Sequence, residues 1–246
     1  MHPQIFQRGK AQMNFGKLRE EVLDANLELV RQGLVLYTFG NVSGISRAEG
    51  VVIIKPSGVP YDRLKPDDLV ATDLAGNTLE GHLRPSSDLP THLVLYKAFA
   101  GIGGVAHSHS EYATSWAQAR IPIPCFGTTH ADYFHGAVPV TDPMSDADIT
   151  ADYEENTGRA IVSTFKGIDY ETIPAVLVAN HGPFAWGGDA KAAAHNAVIL
   201  EAIARMAFFT TAINHDAQSV GRRLHDKHYF RKHGRQAYYG QAKEEK

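Results

Sequence analysis

Apolar residues recur along the chain with two different periods, which predict alternating helices and strands. Intervals of three and four over residues 16–33 predict an amphipathic helix that ends at Gly33. Runs of β-branched and aliphatic residues then predict strands, separated by the turn-rich segment 40–50 and by a turn at 75–77. These predicted strands span residues 34–39, 51–56, 69–73 and 78–80.

The second part of the chain continues this alternation. Ser87 or Asp88 can cap a helix, and Ser145 and Asp189 are placed to cap two more. The prolines of segment 121–126 exclude a helix and predict an extended chain. The remaining predicted elements are strands at 103–109 and 175–180 and helices at 111–119, 145–166 and 189–213.

Tight turns join several of the predicted strands, whereas a doubly wound parallel sheet would need a crossover between each pair. The pattern therefore predicts an α/β fold with a mixed, largely antiparallel sheet and helices on both faces. The 246 residues, of which 43% are hydrophobic, are enough to bury the core of one large domain. The sequence shows no internal repeat, linker or low-complexity segment.

Composition narrows the range of partners. The chain has 24 Lys and Arg against 27 Asp and Glu, a formal net charge of −3, which argues against nucleic acid as a partner. Its one cysteine, Cys125, excludes an intramolecular disulfide and is expected to be a small core residue. Residues 1–15 do not resemble a signal peptide, and the pattern predicts no membrane span. We therefore expect a cytoplasmic protein with no membrane partner.

The 13 histidines are unusually many, and two of them stand one residue apart in the segment GVAHSHS at 104–110. Alternate side chains of a strand share a face, so His107 and His109 could meet one metal ion about 2.0–2.1 Å from each nitrogen. His181 follows the apolar strand 175–180 in a similar way and is the candidate third ligand of a catalytic zinc site. The alternative is that these histidines are merely exposed at strand edges.

Three short segments of small and hydroxyl residues could bind a phosphate through their backbone N–H groups. They are GNVS at 40–43, KPSG at 55–58 and PSSD at 85–88, and Lys55 adds a positive charge. Each could equally be an ordinary turn. The sequence contains neither the P-loop pattern nor a glycine-rich dinucleotide motif after a strand, so a nucleotide or NAD is not supported. The expected ligand is a phosphorylated small molecule.

Eight ordered motifs give the chain a close resemblance to a known family. The motifs are GNVSGI, KPSGV, KPDDLV, RPSSDLPTH, GGVAHSHSEYAT, GTTHADYF, NHGPFAWG and AYYGQ. Over residues 16–241 the chain resembles the L-ribulose-5-phosphate 4-epimerases of the class II aldolase/epimerase superfamily. The resemblance implies a three-layer α/β/α fold with a mostly antiparallel central sheet and one divalent metal per subunit, normally zinc. It also implies a homotetramer with active sites at subunit interfaces.

The resemblance assigns roles position by position. The implied metal-binding set is His107, His109, His181 and Asp88. Asp88 occupies the position beside the metal, where the related aldolases typically carry a glutamate. Asp132 and Tyr239 match the two acid/base residues of the family, with the tyrosine supplied by a neighbouring subunit. The implied phosphate-binding positions are Asn41, Lys55, Ser57, Gly58, Ser86 and Ser87. The implied supporting positions are Thr128, Glu154, His228 and Arg231.

Some of these positions also have simpler interpretations. Taken alone, Asp132 could stabilise a turn, and Tyr238 with Tyr239 could pack as an apolar tail on another chain. The chain departs from close relatives at Phe39, where tryptophan is common, and at Asn180, which replaces a serine. Because Phe39 adjoins the first phosphate turn, its identity could alter substrate preference.

The implied activity is the metal-dependent interconversion of L-ribulose 5-phosphate and D-xylulose 5-phosphate through cleavage of the C3–C4 bond. An aldolase that releases both fragments of a related sugar phosphate is the alternative within the superfamily. A non-catalytic metal-binding or sugar-phosphate sensor is the alternative from another class. The expected organisation is a flexible N-terminal extension at 1–15 followed by a single domain at 16–246.

Overall fold

The computed structural model describes residues 15–234 and 237–239. Its strands are β1 (Asn41–Ser46), β2 (Val51–Ile54), β3 (Val70–Asp73), β4 (Thr78–Glu80), β5 (Gly104–His107), β6 (Ala175–Val178) and β7 (Gly182–Gly187). Its helices are α1 (Gly16–Arg31), α2 (Leu89–Ala98), α3 (Glu111–Ala119), α4 (Thr128–Ala131), α5 (Asp146–Thr150), α6 (Tyr153–Thr164), α7 (Ala190–Ile213) and α8 (Arg222–Lys232). Short 3-10 helices lie at Tyr61–Arg63 and Pro66–Asp68.

The seven strands form one sheet in the order β4-β3-β2-β1-β5-β7-β6, and each pairing between neighbours is antiparallel. Helices α1 and α7 cover one face, where a side chain at Gly44 of β1 would meet Val22 and Ala190. The neighbouring Ser43 points to the other face, and its Oγ lies 2.7 Å from Nδ1 of His92 in α2. Helix α6 packs on α2 in that second layer. The predicted α/β/α fold is confirmed.

The predicted strand at 34–39 is wrong, and the segment predicted as its turn supplies β1 instead. The predicted strand forms a loop in which Tyr37 is exposed and has a φ of 54°, outside the β region. In β1, a Cβ atom at Gly44 would lie 2.9 Å from Cγ2 of Val22 in α1. The small residues of β1 therefore allow a helix to lie directly over the centre of the sheet, which the apolar pattern did not predict.

The predicted helix at 145–166 is divided into α5 and α6. Ser145 caps α5 as predicted, because its Oγ accepts a hydrogen bond from the N–H of Asp148. Helix α5 stops before Ala151, because the φ of −88° and ψ of −121° at that residue are not helical. No glycine or proline marks this break in the sequence. As a result, α6 begins at Tyr153, close to the histidines described below.

Strand β7 follows His181 directly and was not predicted. Pro183 stands at its second position, and proline within a strand argues against a central strand. Here β7 nevertheless pairs with both β5 and β6. The next helix begins as predicted, since Asp189 caps α7 by accepting a hydrogen bond from the N–H of Ala192.

Helix α7 is long and apolar enough to cross a membrane by length and composition, which the sequence pattern did not predict. Core helices that pack on a sheet have the same features, and α7 buries Ala193, Leu200 and Ala204. The exposed large apolar side chains of α7 are Met206, Phe208, Phe209 and Ile213. Of the predicted extension at 1–15, only Phe15 is among the described residues, and it is buried. The division of the chain into extension and domain stays a prediction.

The antiparallel order brings several strand ends to one end of the sheet. Strand β1 begins where β2 and β5 end, and β7 begins beside the end of β5. Asn41 of β1 pairs with His107 of β5, while Lys55 follows β2 and His181 precedes β7. Residues far apart in sequence therefore meet in one small region.

Candidate active site

Three histidines converge at this end of the sheet. The ring centroids of His107, His109 and His181 lie 4.8, 5.0 and 5.1 Å apart, and one nitrogen from each lies within 4.8 Å of the others. The Nε2 atoms of His107 and His109 are 3.2 Å apart. Two nitrogen ligands of a tetrahedral zinc ion, each about 2.05 Å from the metal, lie about 3.3 Å apart. The pair therefore has the spacing of ligands that share one ion.

Contacts outside the histidine set orient the His107 ring and hold the residue that precedes His181. His107 donates a hydrogen bond from Nδ1 to the carbonyl oxygen of Pro183 at 2.9 Å, which leaves Nε2 free to bind a metal. Asn180 precedes His181 with a φ of 62°, a conformation that asparagine adopts more readily than most residues. The Oδ1 atom of Asn180 accepts a hydrogen bond from Nε of Arg120 at 3.0 Å. Both strand ends are thus fixed by the protein itself.

The surroundings of the histidines favour the neutral imidazole, which is the form that binds metal. Burial, together with the neighbouring His107 and His109, lowers the pKa of His181 to about 4. Burial and the proximity of His107 also lower the pKa of His109, which the Asp88 carboxylate opposes. At neutral pH these two rings are uncharged. The donor set therefore fits a divalent cation.

Asp88 occupies the predicted N-cap position of α2, but its side chain makes no capping hydrogen bond to that helix. Instead, its Oδ2 accepts hydrogen bonds from Nδ2 of Asn41 at 2.6 Å and from Oγ of Ser86 at 3.4 Å. Burial raises the pKa of Asp88, but His107, His92 and the Asn41 amide outweigh burial and hold the pKa below its usual value. An ionised carboxylate consequently lies beside the histidines.

The three small-residue turns form the other wall of the same cleft, which has a volume of about 390 Å³. The N–H of Ser57 donates to the carbonyl of Arg84, and the N–H of Ser86 donates to the carbonyl of Lys55, both at 3.0 Å. Lys55 is only 1% exposed, and burial lowers its pKa to about 8. The cleft is lined by Thr38, Phe39, Gly40, Asn41, Lys55, Pro56, Ser57, Gly58, Ser86, Ser87, Asp88, His107, His109, Tyr153, Glu154 and His181.

Two aromatic residues that line this cleft, Phe39 and Tyr153, were not among the predicted site residues, although Phe39 was expected to affect substrate preference. The Tyr153 hydroxyl lies 3.5 Å from Nδ1 of His181, and the Phe39 ring stacks on His109 with centroids 5.8 Å apart. Phe39 adjoins the first phosphate turn, so its position in the sequence was a usable signal. Tyr153 lay inside the predicted helix 145–166 and offered none.

Asp132, the predicted acid/base residue, lies in a second cluster. It accepts hydrogen bonds from Nε and Nη2 of Arg231 at 2.9 and 2.6 Å, and its Oδ1 lies 3.0 Å from Nδ1 of His228. Burial raises the pKa of Asp132, but Arg231, His228 and the charge of Lys232 outweigh burial and keep the pKa low. The Arg231 guanidinium lies 4.7 Å from the ring centre of Tyr239. The two predicted acid/base residues thus share one arginine.

The sixteen predicted site residues therefore form two groups. The acid/base cluster consists of Thr128, Asp132, His228, Arg231 and Tyr239. Thr128 belongs to it because its carbonyl oxygen accepts the N–H of Asp132 at 2.9 Å. None of the five lines the cleft. Among residues 15–234 and 237–239, no hydrogen bond or ring contact joins the acid/base cluster to His107, His109 or His181.

Two further histidines and Cys125 make contacts that stabilise the fold. His92 is fully buried beside Ser43 and Phe184, and burial lowers its pKa to about 3. Cys125 is also buried, and burial raises the pKa of its thiol to about 11, which agrees with the predicted core role. His225 donates a hydrogen bond from Nε2 to the carbonyl oxygen of Phe134 at 2.9 Å.

Similarity to known proteins identifies the family. The profile of the Class II Aldolase and Adducin N-terminal domain matches residues 20–208. The L-ribulose-5-phosphate 4-epimerase UlaF of Salmonella paratyphi A is 50% identical over 225 residues, which cover 92% of this chain and 99% of the relative. The structure of an L-fuculose 1-phosphate aldolase is 25% identical in sequence and superposes with a TM-score of 0.76. The match covers 90% of this chain and 99% of the aldolase chain. YgbL from Klebsiella pneumoniae is 25% identical with a TM-score of 0.70, covering 87% and 99%. The chain therefore belongs to the class II aldolase family, and within it to the L-ribulose-5-phosphate 4-epimerases.

Proposed function

We propose that the protein is a metal-dependent epimerase that interconverts L-ribulose 5-phosphate and D-xylulose 5-phosphate. The observation that carries this proposal is the cleft, in which three histidines and a carboxylate face Lys55 and the three small-residue turns. The first wall suits a divalent cation and the second suits a phosphate group. A ketose phosphate offers an oxygen-rich end to one wall and a phosphate to the other. The 50% identity to an epimerase makes this substrate pair the first to test.

The chemistry of the substrate requires a carbon–carbon bond to break. In a 2-ketopentose 5-phosphate, C4 is not adjacent to the C2 carbonyl, so loss of the C4 hydrogen as a proton would leave an unstabilised carbanion. Cleavage of C3–C4 instead sends the bonding electrons toward the carbonyl and leaves glycolaldehyde phosphate as the second fragment. When that aldehyde rotates and the C3–C4 bond re-forms on its opposite face, the product is the C4 epimer.

We propose that one zinc ion per subunit is held by His107, His109 and His181, with Asp88 beside it. When bound, the ion would supply Lewis-acid stabilisation of the negative charge that develops on the ketose oxygens. The metal dependence of the class II aldolase family supports this assignment. Three imidazoles also accept manganese, cobalt or nickel, so elemental analysis is needed to identify the native ion.

The small-residue turns would retain the aldehyde fragment by binding its phosphate group. Lys55 would contribute a point charge, and the backbone N–H groups around Gly58 and Ser87 would bind phosphate oxygens. The buried Oδ1 of Asn41 has no partner among the described residues, so it can accept a hydrogen bond from a substrate hydroxyl. The full proposed set is Asn41, Lys55, Ser57, Gly58, Ser86 and Ser87, with Glu154 in a supporting place. Retention of the fragment is what distinguishes an epimerase from an aldolase.

We assign the proton transfers to Asp132 and Tyr239. One removes the proton from the C4 hydroxyl oxygen, and the other returns a proton to the O4 alkoxide that forms on the opposite face. His228 and Arg231 would hold the Asp132 carboxylate in position, and Thr128 would support it. Because this cluster does not line the cleft of its own chain, we propose that a neighbouring subunit supplies it.

Exposed apolar surface supports a homotetramer with shared active sites. An apolar groove of about 400 Å³ lies between the segment 124–130 and α7, and Met206 and Phe209 of α7 line it while remaining about half exposed. Tyr239 is 59% exposed in the single chain, as a residue that reaches another subunit would be. The cytoplasmic location expected from the sequence stays a prediction.

The test is turnover of L-ribulose 5-phosphate by purified protein before and after metal removal. We expect D-xylulose 5-phosphate to form without net release of dihydroxyacetone, activity to disappear on chelation, and zinc to restore it. Full activity in metal-free protein would refute the metal assignment. Net release of dihydroxyacetone would identify the aldolase alternative, and binding without turnover would identify a sensor.

A further inference from the structure

Tyr61 lies behind the phosphate wall of the cleft and belongs to none of the predicted site groups. It begins the short 3-10 helix that follows the turn at 55–58. Its side chain is 7% exposed and is not among the residues that line the cleft. Two of its contacts nevertheless reach residues that do.

The first contact is a hydrogen bond to the turn at 40–43. The Tyr61 hydroxyl donates to the carbonyl oxygen of Gly40 at 2.8 Å. Gly40 has a φ of 95°, and a Cβ atom there would lie 2.8 Å from the carbonyl oxygen of His107. This turn therefore packs closely against the strand that carries the first histidine, and the tyrosine hydroxyl bonds to the same glycine.

The second contact is with the buried lysine. The Lys55 ammonium lies 4.6 Å from the centre of the Tyr61 ring, a cation–π distance. An ammonium has three N–H donors, whereas the hydrogen bond observed for Lys55 is a long one of 3.3 Å to the carbonyl oxygen of Pro56. The ring face is thus a principal source of stabilisation for a charge that burial disfavours.

We infer that Tyr61 is a positioning residue for phosphate binding, which holds the Gly40 turn with its hydroxyl and the Lys55 ammonium with its ring. The inference rests on the proposed function of this cleft as a sugar-phosphate site. Tyr61 acts through the two neighbours and touches no substrate itself. Its loss should therefore weaken binding of the phosphate group and leave the bond-breaking step nearly unchanged.

Two substitutions separate the two contacts. Tyr61→Phe removes the hydroxyl and keeps the ring, whereas Tyr61→Leu removes both. The matched control is Tyr96→Phe, because Tyr96 is a buried tyrosine whose hydroxyl lies 2.8 Å from Oγ of Ser43, away from the cleft lining. All three proteins are studied as full chains with metal bound.

The measurements are inorganic phosphate affinity by calorimetry, metal content, and KM and kcat for L-ribulose 5-phosphate. We expect Tyr61→Phe to weaken phosphate binding by about three- to tenfold, as for the loss of one hydrogen bond. Tyr61→Leu should weaken it by about ten- to a hundredfold, because the cation–π contact is also lost. KM should rise in parallel, kcat should stay within about twofold, and Tyr96→Phe should match the wild type.

Phosphate affinity at the wild-type level in both Tyr61 variants would overturn the inference. An equal loss in Tyr96→Phe would also overturn it, because the effect would then follow from general destabilisation. If Tyr61→Leu does not fold, Tyr61→Phe alone decides. The phosphate titration needs no turnover, so a wild-type protein that binds phosphate but does not epimerise the sugar would refute only the proposed function. A wild-type protein that binds no phosphate would refute the inference.

Discussion

Lys55 shows how strongly the environment changes one side chain. It follows β2 at the end of a run of β-branched residues and is almost completely buried beneath the cleft surface. Removal from water disfavours the ammonium, which lowers the Lys55 pKa from its usual value near 10.5 to about 8. Most molecules therefore carry the charge at pH 7, and most have lost it at pH 9.

We expect phosphate affinity to decrease as pH rises through about 8. The ammonium is present below the lowered pKa and absent above it, and a phosphomonoester remains a dianion over this range. For a single group with this pKa, affinity should fall by about fivefold between pH 8 and pH 9. Calorimetric titration with a phosphomonoester, whose second pKa lies at about 6, measures the effect at several pH values.

Lys55→Arg is the control for this prediction, because a guanidinium does not titrate near pH 8. Its affinity, compared with its own value at pH 7, should change little up to pH 9. Wild-type affinity that is constant from pH 7 to pH 9 would contradict the prediction.

At the scale of elements, helix α3 depends on a cap from another helix. Ser110 occupies the N-cap position, but its Oγ is buried and has no partner among the described residues. Glu201 of α7 replaces it, since its two carboxylate oxygens accept the N–H groups of Tyr112 and Ala113 at 2.8 and 2.9 Å. This carboxylate therefore anchors the segment that follows His109. Favourable charge at a helix N-terminus adds to the effect.

Glu201→Ala should destabilise the fold by about 2 kcal/mol, because it leaves two N–H groups without acceptors. It should also weaken zinc affinity by about tenfold, because the segment that follows His109 loses its anchor. Chemical denaturation and competition with a chelator measure the two effects.

The control for the cap is Glu155→Ala. Glu155 lies 2.6 Å from Arg159 in an exposed pair on α6, and such pairs contribute less than about 1 kcal/mol. If both substitutions cost the same stability, the Glu201 cap would have no special role.

At the scale of the whole molecule, the metal cleft and the acid/base cluster occupy separate parts of one chain. Antiparallel strand ends form the cleft, while helix α8 brings the positively charged Arg231 and Lys232 to Asp132. One chain is expected to present both halves of a site without joining them. Assembly would complete the site by placing the cluster of one subunit against the cleft of the next.

Mixed oligomers of two inactive variants test this arrangement. Asp132→Asn and His109→Ala should each lower turnover by orders of magnitude, and Asp132→Asn should keep its metal. When the two are coexpressed, one intact half from each chain should meet in about a quarter of the sites and restore that fraction of activity. Mass spectrometry confirms the mixed composition, and assays measure recovery.

The control mixture is Asp132→Asn with Tyr239→Phe. Both changes lie in the same cluster, so every shared site would contain one defective residue and activity should not return. Recovery in this control would show that the two residues come from different subunits. Lack of recovery in the first mixture would show that no site is shared between chains.

Features that depend on neighbours in sequence were predictable. The caps at Ser145 and Asp189, the strand Val51–Ile54 and the helix that stops at Gly33 all follow from local preferences. The histidine set was also predictable as a candidate, because ligand-type residues after apolar strands are unusual. The epimerase family followed from long ordered motifs.

Features that depend on distant partners required the tertiary structure. Strand β1 places Gly44 where α1 and α7 pack on the sheet, and Asp88 accepts a hydrogen bond from Asn41 at 2.6 Å instead of capping its own helix. The Glu201 cap and the separation of Asp132 from the cleft have the same origin. Residue types and their spacing were enough to show which side chains suit a core, a helix cap or a metal site. Only the fold decided which partner each one finds, because those contacts join segments that are tens of residues apart.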